Sequence, residues 1–193
     1  MERLGNSIKT VFAATWIGLV GAGWYWMADY QSRPGVVGVI GELPASWQID
    51  SEAKQVFVFL HPRCPCSRAT VDQLHRIVNA SPQSRVTAFF YCPELESSEW
   101  VETALWTAAS RIPSVRPHID RDAKIAREFG VATSGHVLMF SGAGKPLFSG
   151  GITPGRGHQG DCIAAEDLSL ALRGRLTQST QHPVFGCELY EGT

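Results

Sequence analysis

Residues 55–80 read QVFVFLHPRCPCSRATVDQLHRIVNA, and the order of patterns within them decides the fold. Gln55 to Leu60 is a short apolar run rich in β-formers, as expected of a strand buried on both faces. From Ser67 to Ala80 the period changes, and Ala69, Val71, Leu74, Ile77 and Val78 fall on one helical face. Between the two patterns stand His61, Pro62, Arg63, Cys64, Pro65 and Cys66. Two cysteines one residue apart therefore sit where a strand ends and a helix begins. Pro65 suits a first-turn position, where no N–H is required. A helix N-terminus carries partial positive charge and free N–H groups, which favour a thiolate and lower its pKa. Arg63 and Arg68 flank the pair and act in the same direction. Sulfurs this close in sequence can bridge only through a small strained ring, and strain makes a disulfide easier to reduce.

Downstream, residues 85–91 (RVTAFFY) predict a second buried strand, and residues 97–111 a helix with Ser97 and Ser98 as candidate caps. Residues 119–130 predict a short helix capped by Asp120 and closed by Gly130. Residues 136–140 and 146–148 read as strands joined by a hairpin turn at residues 141–144 (SGAG). A glycine-rich loop follows at residues 150–160, and Asp161 is placed to cap a last helix over residues 166–176. This order predicts an α/β sandwich with two parallel strands and an antiparallel hairpin in one sheet.

That topology gathers distant segments at one sheet edge. Both parallel strands end there, which brings Cys92 toward the cysteine turn. The antiparallel strand begins there, with Thr133, Ser134 and Gly135 leading into it. Its partner ends there and delivers the loop carrying Arg156 and His158. Ligand sites of open α/β sheets favour this carboxyl edge.

Upstream, residues 10–28 carry no charge, and a helix of that length spans roughly 28 Å, close to the hydrocarbon thickness of a bilayer. Arg3 and Lys9 precede the run and Asp29 follows, so the positive-inside rule puts the N-terminus in the cytoplasm. Trp24, Tyr25, Trp26 and Tyr30 crowd the far end, where amphipathic rings favour a membrane–water interface. A cleaved secretory signal ending near Val20 and Ala22 is the competing reading, and a buried core helix the bland one. Residues 1–30 thus read as an anchor. Residues 31–54, with Pro34, Gly35, Gly38, Gly41 and Pro44, read as a linker, and residues 55–193 as the folded domain with a C-terminal tail. Anchor and signal alike place residues 31–193 outside the cytoplasm, where disulfides form.

The whole chain has 193 residues, 44% of them hydrophobic, and a formal net charge of −1. It has room for one domain plus an appendage, and its charge excludes a general nucleic-acid binder. Five cysteines are too few for a disulfide-dense scaffold, and the odd number leaves at least one thiol over. Neither a haem-attachment CxxCH, a P-loop nor a dinucleotide fingerprint occurs.

Several residues have two readings. His158 either exchanges a proton with a leaving thiol or ligates a metal, or else simply holds the glycine-rich loop. Arg156 is an anion or thiolate partner, or a solvated charge. His61 is a strand-end packing residue or, beside Cys64, a functional one. Cys187, behind Gly186 in the tail, presents a third thiol as resolving cysteine or metal ligand, or pairs structurally with Cys162 or Cys92.

The strand–CPC–helix unit followed by βα and a β-hairpin resembles the thioredoxin superfamily. More narrowly, the motifs HPRCPCSRA, FGVATSGHVLMF, FSGGIT, GRGHQGD and PVFGC resemble the membrane-anchored, thioredoxin-like RedB-type proteins of bacteria, over residues 55–187. The resemblance implies a thioredoxin-like fold behind an N-terminal transmembrane helix. It makes Cys64 the attacking cysteine and Cys66 the resolving one. There are two departures. Thioredoxins place two residues between the cysteines, whereas here only Pro65 intervenes, a spacing shared with disulfide-relay proteins of mitochondria. Gly135 stands where thioredoxins carry a cis-proline.

Two functions follow as expectations. One is a thiol–disulfide oxidoreductase of a bacterial inner membrane, single-pass, with its C-terminal domain facing the periplasm or cell exterior. It would need no cofactor, would act on protein thiols or disulfides, and would touch the bilayer through residues 10–28. The other is a Sco-like copper-binding assembly factor using Cys64, Cys66 and His158, since thiolates and imidazole suit Cu(I). A thiol peroxidase is disfavoured, because no threonine precedes Cys64 at the spacing that chemistry shows.

Overall fold

The computed structural model describes residues 2–37, 41–47, 53–81, 85–175 and 177–190. Gly38 in the predicted linker and Leu176 at the end of the predicted last helix lie outside them. The chain divides into two compact units, Met1–Arg33 and Pro34–Thr193.

The first unit is helix α1, Glu2–Ser32. Its stretch Ser7–Ser32 is the one helix among the described residues that is long and apolar enough to cross a membrane, and nothing in the structure covers it. Phe12, Trp16, Ile17, Trp24 and Tyr25 are all exposed. Trp26 stacks on Tyr30, and Arg33 pairs with Asp29 one turn back.

The second unit is built on five strands in the order β3-β2-β1-β4-β5. Strand β1 (Gln55–Leu60) pairs in parallel with β2 (Arg85–Cys92), Phe59 facing Phe89 and Leu60 facing Phe90. On its other side it pairs antiparallel with β4 (His136–Phe140), Phe59 facing His136. β4 turns into β5 (Pro146–Gly151) through the predicted hairpin. Helix α2 (Pro65–Asn79) begins five residues after β1 ends and returns over the sheet. This is the thioredoxin-like arrangement.

Alternate residues of the central strands feed two separate cores. Val56, Val58 and Leu60 pack with Val71, Leu74 and Val78 of α2 and with Leu168. Phe57 and Phe59 face the other way, joining Phe89, Phe129, Leu138 and Phe140. A strand buried on both faces cannot alternate polar and apolar residues, which is why QVFVFL reads as a continuous run. Part of the stretch 31–54 lies against the second core: Leu43 is buried, and Trp47 packs edge-on against Phe89 at 5.0 Å.

Four expectations need correction. The sheet has a third parallel strand, β3 (Val115–Arg121), paired with β2. Asp120 lies on that strand, yet its carboxylate accepts from Ile125 N at 2.8 Å and Ala126 N at 3.0 Å. It thereby holds the start of α4 (Lys124–Glu128). The helix expected over residues 97–111 is broken. A single 3-10 turn (Ser98–Trp100) is followed by α3 (Ala104–Ser110), because the Thr103 side chain accepts from Trp106 N and starts a new helix. The last helix, α5, runs Ile163–Leu172, and its N-cap position is Cys162, not Asp161, whose side chain is exposed.

Candidate functional site

Cys64 is the N-cap residue of α2, in extended conformation at φ −98° and ψ 130°, with Pro65 as the first helical residue. Its carbonyl accepts the first intrahelical bond, from Arg68 N at 3.3 Å. The thiol therefore stands at the open N-terminal turn, where N–H groups have no carbonyl partner. Its Sγ lies 3.4 Å from the Sγ of Cys187, which arrives from the C-terminal tail. The sulfurs of Cys64, Cys66 and Cys187 all lie within 4.8 Å of one another.

The three thiols are not equivalent. Cys64 is held down to about 4, first by the hydrogen bond from the Cys66 thiol and then, against burial, by the Ser67 N–H and the Cys187 thiol. Cys66 is pushed far up by giving that bond and by burial. Burial also raises Cys187, and its neighbour Cys64 adds to this, while Arg156 pulls the other way. One thiolate with two thiols turned toward it is the resting arrangement these shifts describe.

The surroundings fix this geometry. His61 N donates to Ser67 Oγ at 2.9 Å and to Ser134 Oγ at 3.2 Å, and the two hydroxyls are themselves 2.6 Å apart, fully buried. They tie the end of β1, the first turn of α2 and the approach to β4 into one knot. Gly135 N donates to Phe59 O at 2.7 Å, a bond that a proline there could not make. Gly135 sits at φ +88°, and no cis peptide bond occurs among the described residues. Thr133 Oγ1 donates to Val36 O at 2.7 Å.

His61 stacks on Tyr91 and meets Trp100 edge-on, and its Nδ1 accepts from Arg63 N at 3.2 Å. Burial lowers its pKa, although Cys64 opposes that shift. It is therefore a neutral packing group beside the thiolate. The Arg63 guanidinium lies over the Trp100 ring at 4.5 Å. Thr103 Oγ1 donates to Pro62 O, which binds the loop to the start of α3. Cys64 opens into a cleft of about 350 Å³ between these pieces, rimmed by Arg63, Arg68 and Ala104.

Not every predicted residue joins the sulfurs. Cys92 is completely buried and burial raises its pKa; its Sγ accepts from Arg121 at 3.3 Å and faces the Glu96 and Ser97 carbonyls. His158 is exposed, and its Nδ1 donates to Arg156 O at 2.8 Å, so it braces the loop. Cys187 is the third thiol of the cluster, and all five cysteines are free, so it is bonded to neither Cys92 nor Cys162. Arg156 donates to the carbonyl of Gly186, next to Cys187. Ser67 and Trp100 are members of the site that the sequence reading passed over. Ser67 stood out only as the first residue of the helical pattern, and nothing in the sequence marked Trp100.

A soft cation would find three sulfur donors at this place and no other such group among the described residues.

No protein-family model matches the chain, and no curated protein matches it. Among solved structures it is similar to an uncharacterised conserved protein from Geobacillus kaustophilus, with TM-score 0.58 and 18% identity over 84% of this chain and 90% of the other. A hypothetical protein from Sinorhizobium meliloti gives TM-score 0.59 and 18% identity, over 84% of this chain and 99% of that one. A secreted disulfide oxidoreductase of Mycobacterium tuberculosis aligns more loosely, at TM-score 0.45 and 13% identity, over 65% of this chain and 84% of the other. At such identities the likeness is one of fold.

Proposed function

We propose that this thioredoxin-like chain is a thiol–disulfide oxidoreductase of the RedB type, held at a bacterial inner membrane by α1, with residues 34–193 outside the cytoplasm. The observation that carries the reading is the Cys64 sulfur at the N-terminal turn of α2, with two further cysteine sulfurs within 4.8 Å and a cleft beside it. A thiolate that stays ionised at neutral pH attacks disulfides and is also a good leaving group, so the site can pass electrons either way. Cys64 Sγ attacks one sulfur of a substrate disulfide, forms a mixed disulfide and releases the other sulfur as thiolate. A second cysteine of the site then attacks Cys64 and frees the substrate thiol. Two site thiols end as one disulfide, and the substrate disulfide ends as two thiols. Residues 10–28 would touch the bilayer, and protein thiols or disulfides are the partners. Nucleic acid is not among them.

The test uses the full chain in detergent micelles, a protein disulfide as substrate and a small dithiol as electron donor. Wild type turns over and Cys64→Ser does not; retained turnover in that variant rejects the reading. Stoichiometric, tight Cu(I) binding to the reduced chain without any exchange activity would favour the copper-carrier alternative instead. Orientation is tested in spheroplasts, where a membrane-impermeant thiol reagent should label the half-exposed Cys162 without lysis.

A further inference from the structure

We propose that Cys187, not Cys66, is the thiol that closes on Cys64 and releases the substrate. The proposal rests on the oxidoreductase reading above and deepens it by naming the internal partner of Cys64.

The placement of Cys187 is built rather than incidental. The tail that carries it runs extended beside the segment leading into β4. Ser134 N donates to Cys187 O at 2.9 Å, Leu189 N to Ala132 O at 2.8 Å, and Thr133 pairs antiparallel with Glu188. Further back, Gly35 N donates to Val184 O at 2.8 Å and Gly151 N to Pro183 O at 3.1 Å. Arg156 reaches across to the carbonyl of Gly186. Such a row of backbone bonds is how an extended peptide docks on a sheet-edge segment. The tail is therefore fixed beside this segment by its backbone and presents its cysteine to Cys64.

The chemistry of the competing thiol points the same way. Cys66 lies inside the first turn of α2, with its carbonyl accepting from Thr70 Oγ1 at 3.0 Å. Closing a bond to Cys64 across Pro65 alone requires the first turn to give up helical geometry. Cys187 has no such constraint, being separated from Cys64 by 123 positions in sequence and 3.4 Å in space. Cys66, fixed within the first turn beside the Cys64 sulfur, is placed to steady that sulfur rather than to close on it.

The cycle balances as follows. Cys64 thiolate attacks a substrate disulfide, R–S–S–R′, forming Cys64–S–S–R and releasing R′S⁻. Cys187 loses its proton through solvent to a departing thiolate, attacks Cys64 Sγ and releases RS⁻. The two electrons come from Cys64 and Cys187, whose sulfurs end as a disulfide. A dithiol donor then reduces that bond and restores both thiols.

The test begins with the unaltered full chain in detergent. It is oxidised with limiting glutathione disulfide, quenched by acid and alkylation, and its linked peptides are mapped by mass. A Cys64–Cys187 bond with Cys66 alkylated is expected; a Cys64–Cys66 bond with Cys187 alkylated overturns the proposal. In variants, Cys187→Ser should lengthen the lifetime of the Cys64–glutathione adduct by roughly tenfold or more. Cys66→Ser should slow formation of the adduct without making it accumulate, and the reverse pattern again overturns the proposal. Failure of the parent reading looks different: no adduct forms on Cys64 even in the variant lacking both Cys66 and Cys187.

Discussion

Gly186 passes so close to Ser134 that a Cβ added to the glycine would lie 1.8 Å from the Ser134 carbonyl oxygen. Backbone occupies that space, so no side-chain rotation can relieve the clash. The glycine before Cys187 is thus what lets the tail approach near enough for its sulfur to reach Cys64. Gly186→Ala must push the tail outward. The expected result is faster alkylation of Cys187 and a loss of about 1–3 kcal/mol in unfolding free energy, the usual range for overpacking. Unchanged alkylation of Cys187 would show that the approach does not set its position.

The Cys64 thiol should remain ionised far below the ordinary thiol range. The Cys66 thiol holds it down most, and the Ser67 N–H and the Cys187 thiol add to this against burial. Iodoacetamide alkylation of Cys64 should therefore hold a plateau through neutral pH and fall off only toward about 4. Cys66→Ser should move that fall to higher pH only insofar as the hydroxyl is the weaker donor, whereas Cys66→Ala should move it clearly upward. The stability consequence has a definite sign. A thiol held lower in the folded than in the unfolded chain stabilises the reduced fold above the unfolded value of 9.0. That contribution declines as pH falls and is gone below about 4. A form with Cys64 in a disulfide should lack this slope, and paired pH–denaturation series of the two forms would reveal it.

How much of this could be read from the sequence depends on where each element lies. Strand β1 and the helix start at Pro65 were legible because burial on both faces leaves one unbroken apolar run, and a proline marks the first turn. Strand β3 was not. It is an edge strand whose sequence, VRPHIDR, alternates charged and apolar residues and contains a proline, which only an edge tolerates. Asp120 was read correctly as a holder of the following helix, though it acts from the strand. The cysteine turn was legible from residue types alone. The partnership with Cys187 was one of several open readings, because the tail has no period and its position depends on pairing with residues 132–134. Only the glycine beside the cysteine hinted at it. His158 was given two readings, chemical or loop-bracing, and its Nδ1 bond to the Arg156 carbonyl is what the loop-bracing one expects.

His136 offers a separate check on the interior of the fold. Its ring is buried, its Nε2 meets Ser149 Oγ at 2.7 Å, and its Nδ1 has no partner among the described residues. Burial holds its pKa down to about 4, so the folded protein keeps the ring neutral where the unfolded chain would protonate it. The stabilisation is complete above the unfolded value of 6.5 and is lost as pH falls toward about 4. Its full size is about 3 kcal/mol. Urea denaturation between pH 7 and pH 4 should show that decline, and His136→Gln, which can still bond Ser149, should flatten this part of the profile. An identical slope in the variant would assign the decline to other groups.

Ser67 and Ser134 act as one unit, because each hydroxyl helps satisfy the same buried N–H of His61. Removing either leaves a buried polar group short of a partner, which costs about 1–3 kcal/mol. Either hydroxyl alone still accepts from the His61 N–H, whereas removing both takes away both of these acceptors, so the second substitution should cost more than the first. A double-mutant cycle of Ser67→Ala and Ser134→Ala is thus expected to show a coupling energy of about 0.5–3 kcal/mol. The same variants test the link to chemistry. Ser67 sits in the first turn of α2, and Ser134 pairs with the backbone of Cys187. Loosening the knot should lengthen the separation of Cys64 from Cys187. The equilibrium constant for their disulfide, measured against glutathione, should then fall together with stability. If both substitutions proved additive and left that constant unmoved, the hydroxyl pair would be holding the core alone, with no part in positioning the sulfurs.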